Sequence, residues 1–461
     1  MYLCIHIIIT TDNLYHINHT HITTMKKIIL FSLLILSSLI AKAQNADQMA
    51  SEAISKNDWY TLKDLCSSKQ AEMNPALYAF SNAMVLVTFN RNEEAEDAFK
   101  VLLGQYANDI GLENVINMAF LACRNYELMQ EYAKAADICR EMIELVESID
   151  EVPNDLVDGF RTNMQRYLEL AKYPAASVAM HSEGWTVPFR INTFETSSKQ
   201  YVKMTVHTTI NGNDADAIFD TGAGVNMITP EYAEKLGLKY INTDMTVNGG
   251  GQVTSRMAIA ESLTLGDMQM NNVLFTVLEM KSGNEEADKN MNDVNIIIGL
   301  PCIRLAREIT MDFQKNTITI PATPHEYSDP NITFSPANHL LFARCMHNGE
   351  PIDMNLDTGA TGEWGHLDSA YYAAHKAEID AITEFEEDRS AGLGGVTVET
   401  KPVLRDFALT VGGKECIFPR ILVSKQENPQ GAIAISALGM KYFSQQNRVT
   451  ISIPYSKIIV E

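Results

Sequence analysis

Two regimes of hydrophobic spacing divide the chain. From Asn45 to about Tyr173, glycine is scarce and apolar residues recur at helical spacing. The pattern predicts helices over 46–56, 58–68, 75–89, 92–106, 113–129, 131–147 and 154–172, with short polar joints such as Asn90-Arg91-Asn92. From Thr186 onward, short Val/Ile/Thr/Phe-rich runs broken by Gly, Asn and Asp read as strands. The change falls at Lys172-Tyr173-Pro174-Ala175-Ala176, where proline disfavours helix in the residue before it. The expected fold class is therefore α plus all-β, a helical hairpin repeat or bundle followed by a bilobed all-β region.

The helical front carries a faint repeat. Ala95 and Ala98 match Ala133 and Ala136 at an offset of 38. Small residues where paired helices cross, with a period in the thirties, resemble tetratricopeptide-type hairpins, although that repeat's full pattern is missing. A plain helical bundle is the other reading. No catalytic constellation stands here, so a scaffold, partner-docking or substrate-presenting role is expected.

The β region repeats itself. Ala217-Ile218-Phe219-Asp220-Thr221-Gly222-Ala223 returns as Met354-Asn355-Leu356-Asp357-Thr358-Gly359-Ala360, 137 residues later. One Asp-Thr-Gly is weak, since a chain of this length should carry roughly a tenth of one by chance. Two with matched flanks are not. Asn211-Gly212 and Asn348-Gly349 each precede the aspartate by nine residues, and Asn-Gly between apolar runs is a strong hairpin signal. Strands over 201–210 and 215–219 should thus deliver Asp220, and strands over 340–347 and 352–356 should deliver Asp357. Glycine-rich stretches follow, Gly249-Gly250-Gly251 and Gly392-Leu393-Gly394-Gly395. Then come apolar segments ending in glycine, Asn295-Ile296-Ile297-Ile298-Gly299 and the less apolar Ile435-Ser436-Ala437-Leu438-Gly439, and the closing strands 309–313 and 449–453. This is an internal duplication of about 140 residues.

Those motifs resemble retropepsin-like aspartic proteases of the pepsin/retropepsin clan, and the resemblance covers residues 186–461 in two tandem copies. It implies an aspartic-type endopeptidase, a hydrolase whose catalytic residues are Asp220 and Asp357. Two carboxyls near 3 Å apart cannot both ionise, so they share a proton and activate a water. The resemblance implies that Thr221 and Thr358 anchor the two turns to each other, while Gly222 and Gly359 permit a tight backbone. Gly249, Gly250, Gly251, Gly392, Gly394 and Gly395 fit flap tips that close over a substrate. The expected substrate is a polypeptide, and the chemistry needs no metal or cofactor. Ala223 and Ala360 lack the hydroxyl that pepsin-like relatives place there, so a less acidic optimum is expected.

The halves differ. Gly224-Val225-Asn226-Met227-Ile228-Thr229-Pro230 continues the family pattern, with Thr229 a natural N-cap. Thr361-Gly362-Glu363-Trp364-Gly365-His366 departs from it. Trp364 reads as core or cleft lining, and the run Glu384-Glu386-Glu387-Asp388 as a solvated face. A catalytically inactive peptide-binding or assembly protein on the same scaffold is the alternative reading. So is pairing of halves between chains, against which the proline-rich join 321–338 favours a monomer with its lobes paired internally.

Charge and leader complete the picture. The formal charge of −22 makes nucleic acid an improbable partner. Met25 onward reads as a secretory signal: Lys26-Lys27, an apolar run to Ile40, then Ala41-Lys42-Ala43 before Gln44. That run is too short for a stable membrane anchor, and export to a periplasm or beyond is expected. Residues 1–24 read as an upstream extension, 25–43 as the signal, 44–173 as the helical domain with a protein partner as its expected role, 185–320 as the first lobe, 321–338 as linker and 339–461 as the second lobe. Cys66, Cys123, Cys139, Cys302, Cys345 and Cys416 lie in apolar contexts without ligand spacing, which suits buried thiols or disulfides but not zinc.

Overall fold

Three residues in left-handed conformation set the helix ends of the N-terminal part. Asn57, Asn90 and Gln130 take φ of 54°, 58° and 59°. The next residue in each case donates its N–H five positions back, Asp58 to Ala53, Arg91 to Leu86 and Glu131 to Tyr126. Such bonds satisfy the last carbonyls of a helix and turn the chain. The helices between them are Ala43–Ser55, Trp59–Ser68, Pro75–Thr88, Asn92–Gln105, Ala107–Ile110, Leu112–Leu128, Tyr132–Glu147 and Asn154–Leu170. The computed structural model describes residues 43–149, 154–179, 181–195, 200–248, 252–281, 294–392, 395–426 and 435–461. The upstream extension and nearly all of the expected leader lie outside them. The chain divides between Lys172 and Tyr173 into two compact units.

In the helical unit the repeat has a different register from the expected one. The joints at Asn90 and Gln130 stand forty residues apart, and burial follows them: Ala95 and Phe99 match Ala135 and Cys139, all buried. Ala133, the expected partner of Ala95, is exposed. Closely spaced alanines around 133–136 are interchangeable by composition, so the left-handed joint fixes which of them faces inward. Trp59, Leu62, Phe80, Met84, Phe99 and Met118 belong to the apolar core of this unit. Among the described residues no helix is long and apolar enough to cross a membrane.

In the β unit both Asn-Gly pairs make tight turns. Asn211 and Gly212 have φ of 49° and 80°, Asn348 and Gly349 of 50° and 86°. Two positive φ values in succession match the twist of the strands they join. Strand Gln200–Ile210 pairs with Asn213–Phe219, closing at Ile210 opposite Asn213. Strand Leu341–His347 pairs with Glu350–Leu356, closing at His347 opposite Glu350.

Each apolar-Gly segment then slots beside the strand that ends at the aspartate. Ile296–Ile298 runs parallel to Asn213–Phe219, and Ala437–Leu438 runs parallel to Glu350–Leu356. Both are flanked on the other side by an antiparallel strand, Met227–Ile228 in the first half and Gly365–Leu367 in the second. Asp220 N–H donates to Ile298 O at 2.9 Å, and Asp357 N–H to Leu438 O at 3.1 Å. The duplication is thus structural as well as sequential.

The closing strands join the halves. Glu308–Asp312 pairs antiparallel with Arg448–Ser452, and at the centre Thr310 faces Thr450 with their hydroxyls 2.9 Å apart. Both final strands of the second half, Arg448–Ser452 and Lys457–Val460, therefore belong to the first half's sheet. The stretch 321–338, expected to be a linker, supplies strand Ile332–Phe334, buried and paired with Leu341–Ala343. Its prolines lie outside that strand, which leaves the three N–H groups free to pair.

Three further expectations change on contact with the packing. Thr229 stands at the N-cap position of helix Pro230–Lys235, but its hydroxyl is buried and makes no cap bond. Asp388 is not on a solvated face: it is 4% exposed and accepts from Lys401 at 2.8 Å. Its neighbours Glu384 and Glu386 are paired with Arg405 and Arg420. Alternation puts Glu386 and Asp388 on one face of the strand, and the buried carboxylate of the two is matched by the Lys401 cation. Among the described residues the six cysteines are free thiols, buried except for the half-buried Cys416.

Candidate active site

Asp220 and Asp357 each stand one residue past the end of a strand, where the ladder releases the chain into a turn. The two turns cross. Thr221 N–H donates to Thr358 Oγ1 at 3.0 Å, and Thr358 N–H donates to Thr221 Oγ1 at 3.1 Å. Each hydroxyl then donates onward into the opposite half, Thr221 to Leu356 O at 2.7 Å and Thr358 to Phe219 O at 2.9 Å. Both threonines are fully buried. A hydroxyl both donates and accepts, so two of them close a ring of four bonds that no other pair of small side chains would complete.

That ring sets the carboxyls against each other. Asp220 Oδ1 accepts the Gly222 N–H at 2.8 Å and, across the interface, the Gly359 N–H at 3.1 Å. Asp357 Oδ1 accepts the Ala360 N–H at 2.9 Å. The Gly359 bond carries the Asp220 carboxyl into the second half's turn, beside Asp357. Burial, then the charge of Asp357, push the Asp220 carboxyl well above the usual carboxylate range, against the pull of its backbone donors. Burial also raises Asp357, while the Ala360 N–H and the His366 imidazole hold it down.

The glycines meet a steric demand as well as a turn. Neither Gly222 nor Gly359 needs a left-handed backbone. A Cβ on Gly222 would stand 2.5 Å from Asp357 Cγ, and one on Gly359 would stand 2.5 Å from Asp220 Cγ. Each glycine therefore exists to let the opposite carboxyl approach. Gly299 and Gly439 serve the same turns from beneath, since a Cβ there would meet Ala223 O at 2.6 Å or Glu363 O at 2.5 Å.

Two hairpins stand where flaps were expected. Lys239–Asn248 pairs with Gln252–Leu265, and Phe385–Gly392 with Gly395–Val411, so that Gly392 and Gly395 form the last rung. Gly249, Gly250, Gly251 and Gly394 lie outside the described residues. Trp364 is half-buried against the core, edge-on to Phe418.

One pair escaped the sequence reading. His366 Nδ1 lies 3.0 Å from a Glu363 carboxylate oxygen. Burial opposes charge on that imidazole, yet the bond to Glu363 and the nearby negative charges hold it above its ordinary value. The available signal was positional. At the same places after Asp220 stand Asn226 and Thr229, neither of which is charged. Among the described residues, no group of three or more His, Cys, Asp or Glu side chains gathers as a metal site.

Similar solved structures include a retropepsin-like aspartic protease from Rickettsia conorii, 18% identical, spanning 32% of this chain and 95% of that one with a TM-score of 0.20. Conglutin gamma, a basic 7S globulin from lupine seeds, is 11% identical over 60% of this chain and 94% of its own, with a TM-score of 0.33. Edgp is 10% identical over 61% and 95%, with a TM-score of 0.35. These likenesses are partial. No curated protein matches the chain. Residues 206–302, which carry Asp220, its turn and Gly299, match the family described as aspartyl protease, and this match supports an aspartic protease fold there.

Proposed function

We propose that the chain is an exported aspartic endopeptidase, acting as a monomer, that hydrolyses peptide bonds with a water activated by Asp220 and Asp357. The reading rests on one observation: crossed threonine bonds bring the duplicated turns together, so that Asp220 Oδ1 accepts the Gly359 N–H of the other half, two residues from Asp357. Their raised affinities leave one proton shared between them. The ionised carboxyl takes a proton from water as its oxygen bonds to the scissile carbonyl carbon. The protonated carboxyl donates to the carbonyl oxygen, and the resulting diol collapses when the amide nitrogen is protonated and the C–N bond breaks. Backbone donors from Gly222, Gly359 and Ala360 orient the carboxyls throughout.

The test is cleavage of a denatured protein or mixed peptides across acidic to neutral pH, sensitive to pepstatin. Asp220→Asn and Asp357→Asn should each abolish it, and robust cleavage by either variant refutes the dyad. Export is tested by the N-terminus of the secreted chain, expected at Gln44. A second reading, an inactive binding or assembly protein, draws support from the helical unit, whose hairpins suit partner docking. It gains if the wild-type chain cleaves nothing and residues 45–172 retain a tight partner.

A further inference from the structure

We propose that His366, clamped by Glu363, is a positioning residue that keeps the negative charge on Asp357 and leaves the shared proton on Asp220. The inference rests on the dyad reading above and assigns its two roles.

The internal duplication supplies the comparison. Six residues after Asp220, Asn226 accepts the Gly299 N–H at 2.9 Å and donates to Leu274 O at 3.0 Å, which ties the turn to the apolar-Gly segment. Six residues after Asp357 stands Glu363. There the matching Gly439 N–H goes to the backbone oxygen of Trp364 instead, at 2.9 Å. The Glu363 carboxylate is relieved of that tie and meets His366, nine residues after the aspartate, where the first half has the neutral Thr229. The two side chains are 13% and 30% exposed, so water screens their charges weakly.

His366 also has the right placement. It lies in strand Gly365–Leu367, separated from the strand ending at Leu356 only by Ala437–Leu438. Gly365 and Leu367 are buried and His366 is not, so its ring is on the opposite face from the core. The register sets His366 level with Ala437 and Ala437 level with Asn355, two residues before Asp357, and from there its positive charge favours the ionised form of Asp357.

The other charges nearby are spoken for or lie beyond Glu363. Lys401, from the hairpin strand Gly395–Val411, also acts on His366 but is bound to Asp388 at 2.8 Å and lies 3.7 Å from Glu399. Arg420 and Lys441 line a small cavity of about 50 Å³ beside Glu363 and Trp364, and Arg420 is paired with Glu386 at 2.6 Å. A cation at His366 therefore favours ionised Asp357 with nothing equivalent in the register of the first half. Asp357 is then the group that takes the water's proton, and Asp220 the one that donates to the carbonyl oxygen.

The experiment has two arms. In the first, kcat/KM is measured against pH for the wild type, His366→Gln and Glu363→Gln. Removing the cation strands Glu363 beside Asp357 and should move the acid limb up by about one pH unit. Removing Glu363 leaves the cation unopposed in the acid range and should move the same limb down. Shifts in opposite directions are expected; shifts in one direction, or none, overturn the proposal while leaving the protease reading intact. The second arm needs no activity. The His366 imidazole titration, followed by NMR in the full chain, should fall in Asp357→Asn and hold in Asp220→Asn. The reverse pattern, or no change in either, overturns the proposal even if the wild type cleaves nothing, an outcome that would refute the protease reading separately.

Discussion

Replacing Thr358 by valine removes one hydroxyl and changes almost nothing else in shape. In the wild type that hydroxyl accepts from Thr221 N–H and donates to Phe219 O, both across the junction of the halves. Valine leaves a buried donor and a buried acceptor without partners. An orphaned buried group costs about 1–3 kcal/mol, so the loss should reach roughly 2–6 kcal/mol. Thr358→Ser keeps both bonds and loses one buried methyl, about 1 kcal/mol. Urea unfolding resolves the difference, with fluorescence from Trp185 and Trp364 in a Trp59→Phe background to isolate the β unit. Thr221→Val should behave like Thr358→Val, and the double variant should fall short of the sum because the two hydroxyls serve one ring. A Thr358→Val variant no less stable than Thr358→Ser would refute the claim that the crossed bonds hold the turns together.

Two more perturbations separate features that look alike in sequence. Asn211→Ala and Asn348→Ala both force alanine into a left-handed turn, which costs about 1 kcal/mol. Asn211 also bonds Leu236 O, Gly237 O and the Ser262 N–H, whereas Asn348 reaches His347 at 3.1 Å. Asn211→Ala should therefore destabilise by roughly 2–4 kcal/mol and Asn348→Ala by about 1, in the same unfolding assay; equal losses would contradict this. Thr310→Val or Thr450→Val alone strands a buried hydroxyl at the centre of the junction, while the double variant strands none. The double variant should be at least as stable as either single, and a simple sum of losses would count against the pairing.

Local chemistry made much of the fold legible. Helical periodicity located the principal helices, and each Asn-Gly dictated a turn whatever surrounded it. The aspartates were legible because a duplicated tripeptide sits at the same distance from duplicated turns. What the sequence hid depends on partners far along the chain. The inward side of Asp388 needed Lys401 across a hairpin. The right alanines of the repeat needed the left-handed joint at Gln130. A rule about glycine and tight turns found Gly222, but the close approach of the opposite half's carboxyl could not be read from it. His366 was visible only as a departure, since its meaning requires the neighbouring strand.

The shared ladder between Glu308–Asp312 and Arg448–Ser452 also has a consequence for timing. Bonds that complete the candidate site join residues 135 to 139 positions apart, and contacts between residues so distant along the chain make folding slow. A ribosome that has released Asp220, its turn and its hairpins has made a lobe with half a dyad. Until Asp357, Thr358 and Gly359 emerge the crossing has no second side, and until Arg448–Ser452 pairs with Glu308–Asp312 the shared ladder is missing. The crossing is therefore a late event in folding, since it waits for both turns and for the ladder that ties the halves together.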